Sequence, residues 1–112
     1  MKIESHSTNQ VLIIKPKGKI TIGLGDVALR KAVGEALEAG ARRLVINLHG
    51  VSSLDSSGVG ELVSAYTTVT QRSGKLVLAE LPSKIADILQ ITQLIQVFDV
   101  YDSEQEAVDS LS

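Results

Sequence analysis

Residues 44–62 read LVINLHGVSSLDSSGVGEL. Leu44–Leu48 is a near-continuous apolar run, the pattern of a strand covered on both faces. His49–Leu54 then reads as a loop. From Ser56 or Ser57 the period changes: Val59, Leu62, Val63, Tyr66, Val69 and Thr70 recur at helical spacing, and Gly74 closes the segment. A buried strand feeding an amphipathic helix is the unit from which α/β domains are built, and sites in such folds gather where strand ends meet helix starts.

The rest of the chain fits this unit. Upstream, Val11–Ile14 is a β-branched run bounded by Pro16 and Gly18, and Ile20 and Ile22 alternate with polar neighbours, which predicts that the chain turns back as a hairpin. Asp26 reads as a helix N-cap before Val27, Leu29, Ala32, Val33, Ala36 and Leu37, with Gly40 as the stop. Downstream, Lys75–Glu80 reads as a strand, Pro82 and Ser83 open a helix through Ile85, Ile88 and Leu89, and Val97–Val100 is a short strand. Ser103 and Glu106 have the spacing of a capping box for a last helix through Ala107, Val108 and Leu111. The order is β-β-α-β-α-β-α-β-α. Strands alternating with helices need crossover connections, so the fold class is α/β, with a mixed central sheet of four to five strands and four helices.

Composition narrows the function. At 112 residues the chain is one domain, expected to span 1–112. Eleven Lys and Arg against 13 acids leave a net charge of −2, which gives no electrostatic case for nucleic acid. Aromatic residues at 3% offer no base-stacking platform. Cysteine is absent and only His6 and His49 could serve as imidazole ligands, so no metal or thiol chemistry is expected. No segment has the length to insert in a membrane and no leader opens the chain, which predicts a soluble cytoplasmic protein.

Two motifs resemble chemistry that their context denies. Gly23–Ala28 fits the spacing of a dinucleotide-binding turn and would be the site if the chain were a small nucleotide-binding protein. Yet Asp26 would meet the pyrophosphate with like charge, and Asn47 stands where a ribose-binding acid is expected. Ser56 lacks the upstream glycine of a nucleophile elbow. Asp102, Glu104, Glu106 and Asp109 read as complements to the last helix dipole and as a wet face. No cofactor and no catalytic residue is expected.

The segment Asp55-Ser56-Ser57-Gly58-Val59-Gly60 is different. Two hydroxyls follow an acid at a helix start, and two glycines sit in the first turns, where each costs about 1 kcal/mol relative to alanine. Such glycines fit either close packing of the helix on the sheet or close approach by a partner.

The run Leu54–Gly60 resembles the D-S-[ST]-G-[LV]-G motif of STAS domains, in particular bacterial anti-sigma factor antagonists. Gly18-Lys19-Ile20, Leu44–Leu48, Gly74-Lys75-Leu76 and Ile91-Thr92-Gln93-Leu94 match further stretches of that family, with Gln93 in place of the usual glycine. The resemblance implies a non-enzymatic binding protein that works by partner switching. Unphosphorylated, it binds an anti-sigma factor that is also a GHKL-type serine kinase and so frees the sigma factor. Phosphorylation of the serine after the aspartate, here Ser56, ends binding, and a PP2C-type phosphatase restores it. Asp55, Ser57, Gly58 and Gly60 would line the contact. Many antagonists carry an aspartate where this chain has Thr21, so Thr21 and Asp26 are expected to shape partner choice. STAS domains also serve as interaction modules in stress-signalling scaffolds and lipid-transport complexes without a phosphoswitch.

Overall fold

Two helices begin against the end of one strand, and that junction organises the molecule. The computed structural model describes residues 1–112. Its elements are β1 (Lys2–Thr8), β2 (Val11–Ile20), α1 (Gly25–Glu38), β3 (Arg43–Asn47), β4 (Val51–Leu54), α2 (Ser56–Gln71), β5 (Lys75–Ala79), α3 (Ser83–Ile91), β6 (Val100–Tyr101) and α4 (Glu104–Leu111). The six strands run in the order β1-β2-β3-β5-β6, with β4 pairing β2 beyond the end of β3. Only β1 is antiparallel to its neighbour. The α/β class, the mixed sheet and the four helices are as expected, with one strand more.

The added strand is β4; the start of the chain keeps two strands but pairs them differently. The hairpin turn is Asn9-Gln10, with φ of 51° and 65°, and it joins β1 to β2 with Thr8 opposite Val11. Positive φ at both turn residues suits a two-residue hairpin, whose twist must match its strands. The expected turn at Pro16–Gly18 is instead the middle of β2. Pro16 falls between the ladder to β3 (Leu12–Ile14) and the ladder to β4 (Gly18–Ile20), so its missing N–H breaks neither. Gly18 has φ 113° and marks a shift of register. Ile22 lies outside any strand. His49–Leu54, expected as a loop, contains β4, held by buried Val51 and Leu54. The short strand expected at Val97–Val100 is Val100–Tyr101, preceded by a 3-10 turn at Leu94–Gln96.

The sheet has two unequal faces. Helices α1, α2 and α3 cover one, where Ile14, Ile20, Leu44, Ile46 and Leu78 meet Leu29, Val33, Leu62, Val69, Ile85 and Leu89. On the other, α4 sets Ala107, Val108 and Leu111 over Val11, Ile13, Val45 and Val77. Burying an aliphatic side chain of this size stabilises by about 1.5–3 kcal/mol, so the three-helix face carries most of the stability. Ser103 caps α4 as expected, its Oγ accepting from the Glu106 N–H at 3.1 Å.

Candidate functional site

The site is built on the C-terminal end of β2. Helix α1 starts at Gly25, where a Cβ would overlap the Lys19 carbonyl. Helix α2 starts at Ser56, and a Cβ at Gly58 would overlap the Ile20 carbonyl and lie 2.7 Å from Leu54 Cδ1. Glycine lets both helix starts lie directly on the strand backbone. Of the two readings left open for Gly58, the geometry matches close packing of the helix on the sheet: its neighbour is its own chain, and the residue is buried. Gly60 is exposed with open space where a Cβ would stand, and stays available to a partner.

Asp55 ties the two helix starts together. It caps α2, its Oδ1 accepting from the Gly58 N–H at 2.9 Å, and its Oδ2 accepts from the Ile22 N–H at 3.0 Å. These bonds favour the ionised form. The Gly58 N–H first and the Ile22 N–H second hold the Asp55 carboxyl below its ordinary range, against some desolvation. A direct bond therefore joins the Thr21–Asp26 loop to the Asp55–Gly60 segment.

Asp26 departs from expectation. It is not the N-cap of α1 but stands one residue inside the helix, with Leu24 at the cap. The Asp26 Oδ1 accepts from Gly23 N–H at 2.9 Å and Val27 N–H at 2.7 Å, and its own N–H donates to the Thr21 carbonyl at 3.2 Å. Only 8% of the residue is exposed, so its carboxylate serves its own turn, and a partner would meet the turn it shapes. The same bonds occupy two N–H groups that a nucleotide pyrophosphate at Gly23–Ala28 would need.

Ser56 is the first residue of α2 and is exposed, whereas Ser57 is half-buried. A serine at this position has no preceding helical turn above it. Thr21 is half-buried beside Ile22. The structure thus brings Asp55, Ser56, Ser57, Gly60 and Thr21 to one edge. His49 lies apart from this group: its Nδ1 faces Glu80 at 4.0 Å.

Three features escaped the sequence reading. Ile22 and Leu24 are 74% and 77% exposed on the turn beside Ser56. Their alternation with Thr21, Gly23 and Gly25 has the period of a strand, so no local signal marks them as an exposed turn. Glu61, only 7% exposed on α2, pairs with Arg30 of α1 at 3.0 Å, which raises the affinity of the guanidinium for its proton and pins the helices together. Glu104 is more than a dipole complement: its Oε1 accepts from Asn47 Nδ2 at 2.9 Å, and its N–H donates to Glu80 at 2.9 Å, locking α4 to the ends of β3 and β5.

Known proteins share this frame. The Anti-sigma F factor antagonist of Paenibacillus polymyxa is 24% identical over 112 residues, covering 99% of this chain and 95% of that one. The crystal structure of an anti-sigma factor antagonist from Mycobacterium paratuberculosis superposes with a TM-score of 0.87 at 20% identity, over 98% of this chain and 92% of the other. The Bacillus cell fate determinant SpoIIAA in its phosphorylated form superposes with a TM-score of 0.76 at 20% identity, over 99% of this chain and 100% of that one. The sequence model of one family, described as the STAS domain, matches residues 2–107. With that match running almost end to end, the chain belongs to the STAS domain family.

Proposed function

We propose that this protein is an anti-sigma factor antagonist that works by partner switching in the cytoplasm. Its unphosphorylated form binds a GHKL-type anti-sigma factor serine kinase and releases the sigma factor; phosphorylation of Ser56 ends the complex; a PP2C-type phosphatase reverses it. The observation that carries this reading is the exposed Ser56 hydroxyl at the start of α2, beside a carboxylate already bound to the helix terminus. The antagonist name of the Paenibacillus relative supports it. No helix is long and apolar enough to cross a membrane.

The geometry gives the switch a physical form. A phosphate on Ser56 adds about −1.5 to −2 charges at pH 7. Helix starts favour anions, but here Asp55 already takes the Gly58 N–H. The new charge is repelled by Asp55 and turns outward, into the contact with the partner. An uncompensated charge buried in an interface costs several kcal/mol, enough to dissociate a complex of ordinary affinity. Incubation with the kinase and ATP, followed by fragment mass spectrometry, is expected to place the phosphate on Ser56. Phosphate found only on Ser57 refutes the assignment.

A further inference from the structure

Six large apolar residues of this chain are substantially exposed: Met1, Ile22, Leu24, Val27, Ile91 and Val100. Isolated exposed aliphatics are ordinary. Ile22, Leu24 and Val27, however, fall within six consecutive residues, and Ile22 is bonded through its N–H to the residue preceding Ser56. The turn that carries them is not loose. Asp55 holds the Ile22 N–H, Asp26 holds the N–H groups of Gly23 and Val27, and Gly25 is seated on the Lys19 carbonyl. A turn fixed at both ends cannot fold inward to bury its aliphatics. Binding through it requires little ordering of the chain, which is how preorganised contacts gain affinity.

We propose that Ile22 and Leu24 are the apolar anchor by which the partner that reads Ser56 is held, with Asp55 as the residue that positions them. The proposal rests on the antagonist reading above. The occupant is a protein pocket that is apolar inside and basic at its rim. The charges beside the anchor argue for this: half-buried Asp55 and buried Asp26 place two negative charges against the turn, and the one cation next to it outside an ion pair is Lys19 at the end of β2, which leaves the surroundings net negative. Arg30, the first cation along α1, is tied to Glu61. An anionic membrane surface would be repelled by these acids. A second copy docking through the same face would set its acids against this chain's own. A cationic rim would complement them.

The test uses the full chain and each GHKL-type serine kinase encoded in the same genome, purified and titrated by calorimetry in the presence of ADP and magnesium. The parent is compared with the double variant Ile22→Ser/Leu24→Ser and with Ile91→Ser, which removes an equally exposed isoleucine at the end of α3. The double variant is expected to lose at least thirtyfold in affinity, about 2 kcal/mol, while Ile91→Ser stays within threefold of the parent. A double variant within threefold of the parent overturns the anchor and leaves the antagonist reading standing. If the parent binds none of the kinases, the antagonist reading falls and the anchor with it. If sedimentation shows a parent dimer that the double variant abolishes, the occupant is a second copy and the proposal is overturned. Should the double variant melt more than a few degrees lower, the single variants Ile22→Asn and Leu24→Asn give the same comparison.

Discussion

At the residue scale, Gly58 and Gly60 show how one residue type serves two ends within a single helical turn. Gly58 lies on the Ile20 carbonyl with no room for a methyl group, while Gly60 faces open space. Gly58→Ala must push α2 off β2, and overpacking of this kind typically costs about 1–3 kcal/mol. Gly60→Ala instead removes a helix-weakening glycine and is expected to stabilise by about 0.5–1 kcal/mol. Thermal melts of the two variants check both signs; equal shifts would contradict the packing. Gln93 carries the opposite tension. Its φ is 61°, a left-handed conformation held by a residue with a side chain, just before the 3-10 turn. Gln93→Gly relieves that conformation, and an urea titration is expected to show a gain of about 0.5–1 kcal/mol. The resemblance had marked this position by the missing glycine; the backbone shows why glycine suits it.

At the element scale, the start of α2 and the turn before α1 behave as one unit because Asp55 bonds to both. Its carboxyl lies below the ordinary 3.8 through the Gly58 and Ile22 N–H groups. A depressed folded-state pKa contributes stability that is present above the unfolded value and lost as pH falls through the folded one. Asp55→Asn is therefore expected to melt lower than the parent at pH 7, with the gap closing as pH falls below about 4. The Ile22 amide should exchange faster in the variant at neutral pH. A gap that widens in acid would contradict the bridge. Helices α1, α2, α3 and α4 were legible because their apolar faces repeat and their stops are glycine or a change of period. The sheet was less so. Strand β1 is exposed along most of its length and has only Ile3 and its polar neighbours to announce it, and the four residues of β4 carry apolar side chains only at the ends. Pro16 and Gly18 carry the local marks of a turn, but the strand merely changes partners there, a tertiary fact with no local signature.

At the scale of the whole molecule, the six-stranded sheet sets the starts of α1 and α2 at one edge, the edge that the proposed switch assigns to the partner. Ser56, Asp55, Ser57 and Gly60 were readable at that edge from their order in the chain, because helix starts expose such residues. The seat of Gly58 was not readable, since it depends on Ile20, brought near by the fold rather than by adjacency, while Asp26 is enclosed by its own turn through Thr21, Gly23 and Val27. A switch at such an edge has no need to unfold the domain. Acids are tolerated at helix starts, so Ser56→Asp is expected to move the melting temperature by only a few degrees. The same charge in the contact is expected to weaken kinase binding more than tenfold, over about 1.4 kcal/mol. The most direct test is a paired measurement on Ser56→Asp and the parent: a calorimetric titration with the cognate kinase and a thermal melt of each protein. Lost affinity with a retained melting temperature is the predicted result; a variant that binds as tightly as the parent would contradict a switch at Ser56.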